Sequence, residues 1–158
     1  MFVVAGAPGL GEIPHQSAIG LDCFRLVRSI QENAFRRTDA YYVDIEYSFL
    51  VCQHRAVFLG RGIGNKPGAQ GVENGDYYAV CALTGPNGAA ASDLLLEGLV
   101  DAIEECRSPG AGIHKAGAIV IAHHSLPGNS TDCPGEQLQK WITAGAHRPS
   151  QPLSLIHI

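Results

Sequence analysis

Hydrophobic and polar positions along this chain fall in blocks whose period changes from helical to extended and back. In "FRLVRSIQENAF", Phe24 to Phe35, the residues Phe24, Val27, Ile30 and Phe35 lie near one face. The arginines and Gln31 lie mostly opposite, which predicts a helix with Asp22 as a candidate N-cap. In "DIEYSFLV", Asp44 to Val51, Ile45, Tyr47 and Phe49 alternate with Asp44, Glu46 and Ser48, the period of a half-buried strand. "QHRAVFLGRG" follows as a turn, a second short strand and a glycine-rich exit, so the two strands are expected to form a hairpin.

"DYYAVCALTG", Asp76 to Gly85, is apolar and β-prone almost throughout, as a strand buried on both faces would be. "AASDLLLEGLVDAIEECRSPG" carries Ser92 as a cap, a stripe of Leu, Val and Ile, and a stop at Pro109-Gly110, which predicts a second helix. "AGAIVIAHH" reads as another interior strand that ends at two histidines, and "GEQLQKWITAG" as a short closing helix. Strands alternating with helices indicate an α/β class, a mixed central β-sheet flanked by helices on both faces. The domain is expected over 13–145. Residues 1–12 and 146–158 read as irregular ends outside it, the last stretch "HRPSQPLSLIHI" as a linker or read-through.

Composition narrows the class. A length of 158 residues with 46% apolar and 16% charged positions suits one globular domain with a full core. A net charge of −4 gives no footprint for nucleic acid. No apolar run approaches the roughly 20 residues that span a bilayer, so no membrane partner is expected. The N-terminal "MFVVAGAPGLGEIPH" lacks the basic region and longer apolar core of a secretory signal, so localisation is left open. Five cysteines, Cys23, Cys52, Cys81, Cys106 and Cys133, are too sparse for a disulfide scaffold, and the odd count leaves at least one thiol over.

The chemistry concentrates in "AHHSLPGNSTDCPGEQL", Ala122 to Leu138. A strand-end histidine and a cysteine just before a helix can reach one ion, and the helix dipole favours a thiolate there. Metal ligation, nucleophilic catalysis and coincidence all remain open on this spacing. The glycines Gly60, Gly62, Gly64 and Gly68 are not a phosphate loop, because no helix and no Gly-Lys-Ser/Thr follow them. His54, His114, His147 and His157 fall in turns or the tail, and no role is read for them.

The order of motifs adds a resemblance. "PHQSA", "LVRSIQENAF", "DIEYSFLV", "LGRG", "YYAVCALTG", "AHHS" and "TDCPG" run from about Ile13 to Ile142. In this order they are similar to the zinc-dependent N-acetylmuramoyl-L-alanine amidases, the family of phage endolysins and peptidoglycan recognition proteins. The resemblance implies that family's fold and a Zn2+ ion held by His15, His123 and Cys133, with His124 as the alternative to His123. It implies Tyr47 beside the metal-bound water and Thr131 beside the scissile carbonyl as catalytic residues. Gln16 stands where a second early histidine is common, Glu46 replaces a small residue, and the loop before Cys133 is about two residues longer than usual.

The activity implied is hydrolysis of the amide between N-acetylmuramic acid and L-alanine in peptidoglycan, by a monomer acting on the bacterial cell wall. The alternative from the same resemblance is a recognition module that binds muropeptide without cutting it. A third reading, independent of metal, makes Cys133 a nucleophile with His123 as its base.

Overall fold

The computed structural model describes residues 2–6, 21–38, 42–84, 90–108 and 119–150. Five strands among them, β1 (Phe2–Gly6), β2 (Phe49–Cys52), β3 (Val57–Leu59), β4 (Tyr78–Leu83) and β5 (Val120–Ala122), form one sheet in the order β3-β2-β4-β1-β5. β4 is parallel to both β2 and β1, and β1 is parallel to β5. β2 and β3 form the one antiparallel pair, the hairpin expected around Gln53 to Ala56. The sheet is therefore mixed, and the helices α1 (Leu21–Arg36), α2 (Asp93–Cys106) and α3 (Glu136–Thr143) cover it from both sides.

Side-chain alternation along β2 and β4 builds two cores. Phe49, Val51, Val80 and Ala82 meet Leu95, Leu99 and Ile103 of α2 and Leu138 and Ile142 of α3. Leu50, Cys52, Cys81 and Leu83 point the other way and meet Cys23, Leu26, Val27 and Ile30 of α1. All six residues of β4 are buried, which explains why its sequence shows no polar alternation. Each fully buried leucine on α2 contributes about 1.5–3 kcal/mol of transfer free energy.

Local chemistry sets the helix positions. The Ser92 hydroxyl accepts from the Leu95 N–H at 3.1 Å, the expected N-cap of α2. The same hydroxyl donates to the Gln53 carbonyl at 2.7 Å, and the Ser92 N–H donates to Gln53 Oε1 at 2.8 Å. The β2–β3 turn is thus fastened to the start of α2. Gly98 lets α2 come close to that hairpin, since a Cβ there would lie 2.6 Å from Val51 Cγ1 and 3.2 Å from the Arg55 backbone.

Four expectations need correction. Asp44 to Ser48 is not strand: β2 starts only at Phe49. The Ile45 N–H donates to the Asp44 carboxylate at 2.7 Å, the Ile45 carbonyl accepts from Arg61 Nε at 2.7 Å, and the Glu46 carbonyl accepts from the Gly68 N–H. Side chains and a distant loop take the backbone groups that a ladder would use, whatever the alternation of apolar residues. β5 is an edge strand rather than an interior one, and Ile119 just before it is 59% exposed. Asp22 lies within the first turn of α1 instead of capping it.

The fourth correction concerns the ends. Phe2–Gly6, expected to be irregular, is the strand between β4 and β5. At the other end Ala146 is buried, and Arg148 pairs with Asp101 at 2.6 Å and Glu104 at 2.8 Å on α2.

Candidate metal and muropeptide site

The segment after β5 folds as a short 3-10 turn, His123–Ser125, followed by a loop that returns beside it. Leu126, 3% exposed, anchors that loop in the core. The His124 N–H donates to the Cys133 carbonyl at 3.0 Å, and its Nδ1 donates to the same oxygen at 2.9 Å. Two hydrogen bonds on one carbonyl fix Cys133 next to the strand end from which His123 projects. Thr131 Oγ1 accepts from the Cys133 N–H at 3.2 Å, so its hydroxyl shapes the turn while keeping its own proton to donate. Cys133-Pro134 is a cis peptide bond, and Gly135, with φ of 88°, starts α3.

His123 stands differently from its neighbour. Its Nε2 is buried and has no hydrogen-bond partner. Burial lowers the pKa of the ring, and a hydrogen bond to the Ala69 backbone works against that shift. A buried Nε2 with no partner in the protein is a position from which a neutral imidazole can ligate a metal.

Tyr47, expected on a strand, lies in the bend before β2 and packs against the α1-side core. Its phenol is raised well above its ordinary pKa, first by burial and then by the Cys81, Glu46 and Cys133 groups near it. Cys81 lies beside the phenol, and burial pushes its thiol up as well. A phenol held neutral in this way is a hydrogen-bond donor, not a base. The Glu46 carboxylate acts on both Tyr47 and His123 and accepts from Arg37 Nη1 at 2.7 Å. Tyr47, Cys81, Cys133, Glu46 and His123 therefore share one neighbourhood. His15, the third expected ligand, lies outside the described residues, so the trio of His15, His123 and Cys133 is neither assembled nor excluded.

Cys81 and Glu46 were not singled out from the sequence. Cys81 sits in an all-apolar strand, where nothing marks one buried thiol over another. Glu46 reads as the polar half of an alternating strand, and only the bend at 44–48 turns it towards the site.

A second grouping was also missed. Among the described residues, the group of three or more His, Cys, Asp or Glu whose ligand atoms converge is Cys23, Cys52 and His54, within 4.8 Å of one another. The signal was available as "CQH": spacing of two at a strand end puts Cys52 and His54 on one face.

No protein-family model and no curated protein matches the chain. Solved structures do. Human PGRP-IBETAC in complex with glycosamyl muramyl pentapeptide superposes with a TM-score of 0.73 at 22% identity, over 91% of this chain and 81% of that one. Drosophila PGRP-SA gives 0.72 at 22% identity, over 96% and 82%. A Drosophila PGRP-LB mutant in complex with tracheal cytotoxin gives 0.74 at 16% identity, over 94% and 82%. The sheet order, the helices on both faces and these superpositions agree: the chain has the fold of the peptidoglycan recognition proteins.

Proposed function

We propose that this chain binds peptidoglycan stem peptides and cuts the amide between N-acetylmuramic acid and L-alanine with the help of zinc. The neighbours solved with glycosamyl muramyl pentapeptide and with tracheal cytotoxin support a muropeptide as ligand. The observation that carries the hydrolytic part is the buried, unpartnered Nε2 of His123 beside the Cys133 loop. A buried ring nitrogen without a partner is costly, and a metal ion removes that cost.

His15, His123 and Cys133 would hold the ion. Bound zinc supplies a water of lowered pKa and a Lewis acid for the carbonyl. The chain's own residues do the rest. The Ala69 bond keeps the His123 ring in register, and His124 holds the Cys133 loop against the strand end. Tyr47 orients the attacking water through its neutral hydroxyl, and Thr131 donates to the oxygen that gains charge. Glu46 adds negative charge near His123, which favours a cation there.

Sedimentation with insoluble peptidoglycan, read together with release of soluble peptide, tests the proposal. Wild type should sediment and release peptide, whereas Cys133→Ser should sediment without release. Sedimentation without release by wild type in zinc leaves a recognition module. Release that survives chelation but is abolished by thiol alkylation would make Cys133 a nucleophile instead.

A further inference from the structure

We propose that Cys23, Cys52 and His54 form a second metal site, separate from the His123–Cys133 region, in which a zinc ion pins the first turn of α1 to the end of β2. His54 Nδ1 lies 3.3 Å from Cys23 Sγ and 3.8 Å from Cys52 Sγ. Zn–S bonds of about 2.3 Å and Zn–N bonds of about 2.0 Å at a tetrahedral angle place sulfur and nitrogen about 3.5 Å apart. The two separations straddle that value, and all three donor atoms lie within 4.8 Å of one another, close enough to share one ion. Two thiolates and an imidazole are the donor set of thiophilic d10 ions.

The alternative to an ion is a hydrogen bond, and it serves the group poorly. In a neutral ring, Nδ1 offers one lone pair, which accepts one S–H at a time although both sulfurs stand within reach of it. An ion engages all three donors together. Cys23 and Cys52 are completely buried, and His54 is half-buried, so the imidazole is the donor through which solvent reaches the group.

The surroundings hold this arrangement before any ion arrives. Gln53, between Cys52 and His54, is fixed to the opposite side. Its side chain accepts from the Ser92 N–H at 2.8 Å and donates to the Ala90 carbonyl at 2.9 Å. With Gln53 committed to the start of α2, its two neighbours turn to the α1 face, where Cys23 waits. Donors positioned in this way lose little freedom on binding, which favours tight association.

The test uses the full chain carrying Cys133→Ser, kept reduced, so that the result is independent of the proposed hydrolytic site. Titration with Zn2+ against a chromophoric chelator should give one equivalent per chain, and His54→Ala in the same background should lose it. Co2+ should produce thiolate-to-metal charge transfer with tetrahedral d–d bands. At a thousandfold excess of zinc over Kd, Tm should rise by roughly 10 °C, with no rise in His54→Ala. Cys23→Ser provides a second variant should His54→Ala fold poorly. No zinc equivalent, or a cobalt spectrum without thiolate charge transfer, would overturn the proposal.

Discussion

His124 holds the carbonyl oxygen of Cys133 twice, through its backbone N–H at 3.0 Å and through Nδ1 at 2.9 Å. The adjacent His123 keeps a buried Nε2 with no partner. Two adjacent histidines thus stand differently: one ties the loop, the other keeps a buried ring nitrogen unpaired. His123→Ala should lower zinc content by one equivalent. His124→Ala should keep the ion but weaken its affinity about 10–100-fold, the usual effect of removing a group that orients a ligand. Elemental analysis and chelator competition on the two variants check this, and the reverse pattern would exchange the assignments.

Burial, with Cys81, Glu46 and Cys133 nearby, keeps the Tyr47 phenol neutral. Tyr47→Phe should fold and retain zinc, because the ring packs and only the hydroxyl is removed. Its kcat should fall about 10²-fold or more, in the range for losing one donor at a developing charge. Initial rates of peptide release measure it; an unchanged kcat would leave Tyr47 as a core aromatic.

How far the sequence was legible follows from these particulars. The period of Phe24 to Phe35 and the Ser92 cap located α1 and α2, since both are local signals. "VCAL" in β4 has both faces buried, so that strand was readable as an apolar run. β2, with Leu50 and Phe49 serving opposite cores, was read as half-buried from the alternation before it. Asp44 to Ser48 failed because Arg61 and Gly68, distant in sequence, take its carbonyls. Phe2–Gly6 failed because five apolar or small residues near an end carry no turn signals that mark a strand. At the site, Cys133 stood out by its Cys-Pro-Gly context, whereas Cys23 needed the fold to bring it across to His54.

Gly98 sits where α2 crosses the hairpin, and a methyl group there would meet Val51 and the Arg55 backbone. Helix propensity alone favours alanine by up to about 1 kcal/mol. The backbone contact cannot yield as a side chain would, so Gly98→Ala should still destabilise, by about 1–3 kcal/mol. Urea denaturation gives the sign directly; a stabilised variant would contradict the close packing.

Asp101 joins Arg55 and Arg148 at 3.0 and 2.6 Å. Burial alone would raise its pKa, but the two guanidiniums outweigh it and hold the carboxyl below its ordinary value. The folded pKa is therefore the lower one. The stabilisation is complete above the unfolded value, near 4, and fades as pH falls through the folded one. Asp101→Asn should be less stable than wild type at pH 7, and the gap should close in acid. Denaturation midpoints at both pH values test it, and a gap that widens in acid would contradict the pairing.

The central claim is amide hydrolysis at the muramic acid–alanine bond, and product identity tests it most directly. Mass spectrometry of peptidoglycan digested by the zinc-loaded protein should find stem peptides with new N-terminal alanine amines. It should find no new reducing sugar ends, the mark of glycosidases acting through paired carboxylates. Chelation should stop the release, and added zinc should restore it. Intact glycan–peptide linkages after exhaustive digestion with zinc-loaded protein would contradict the account.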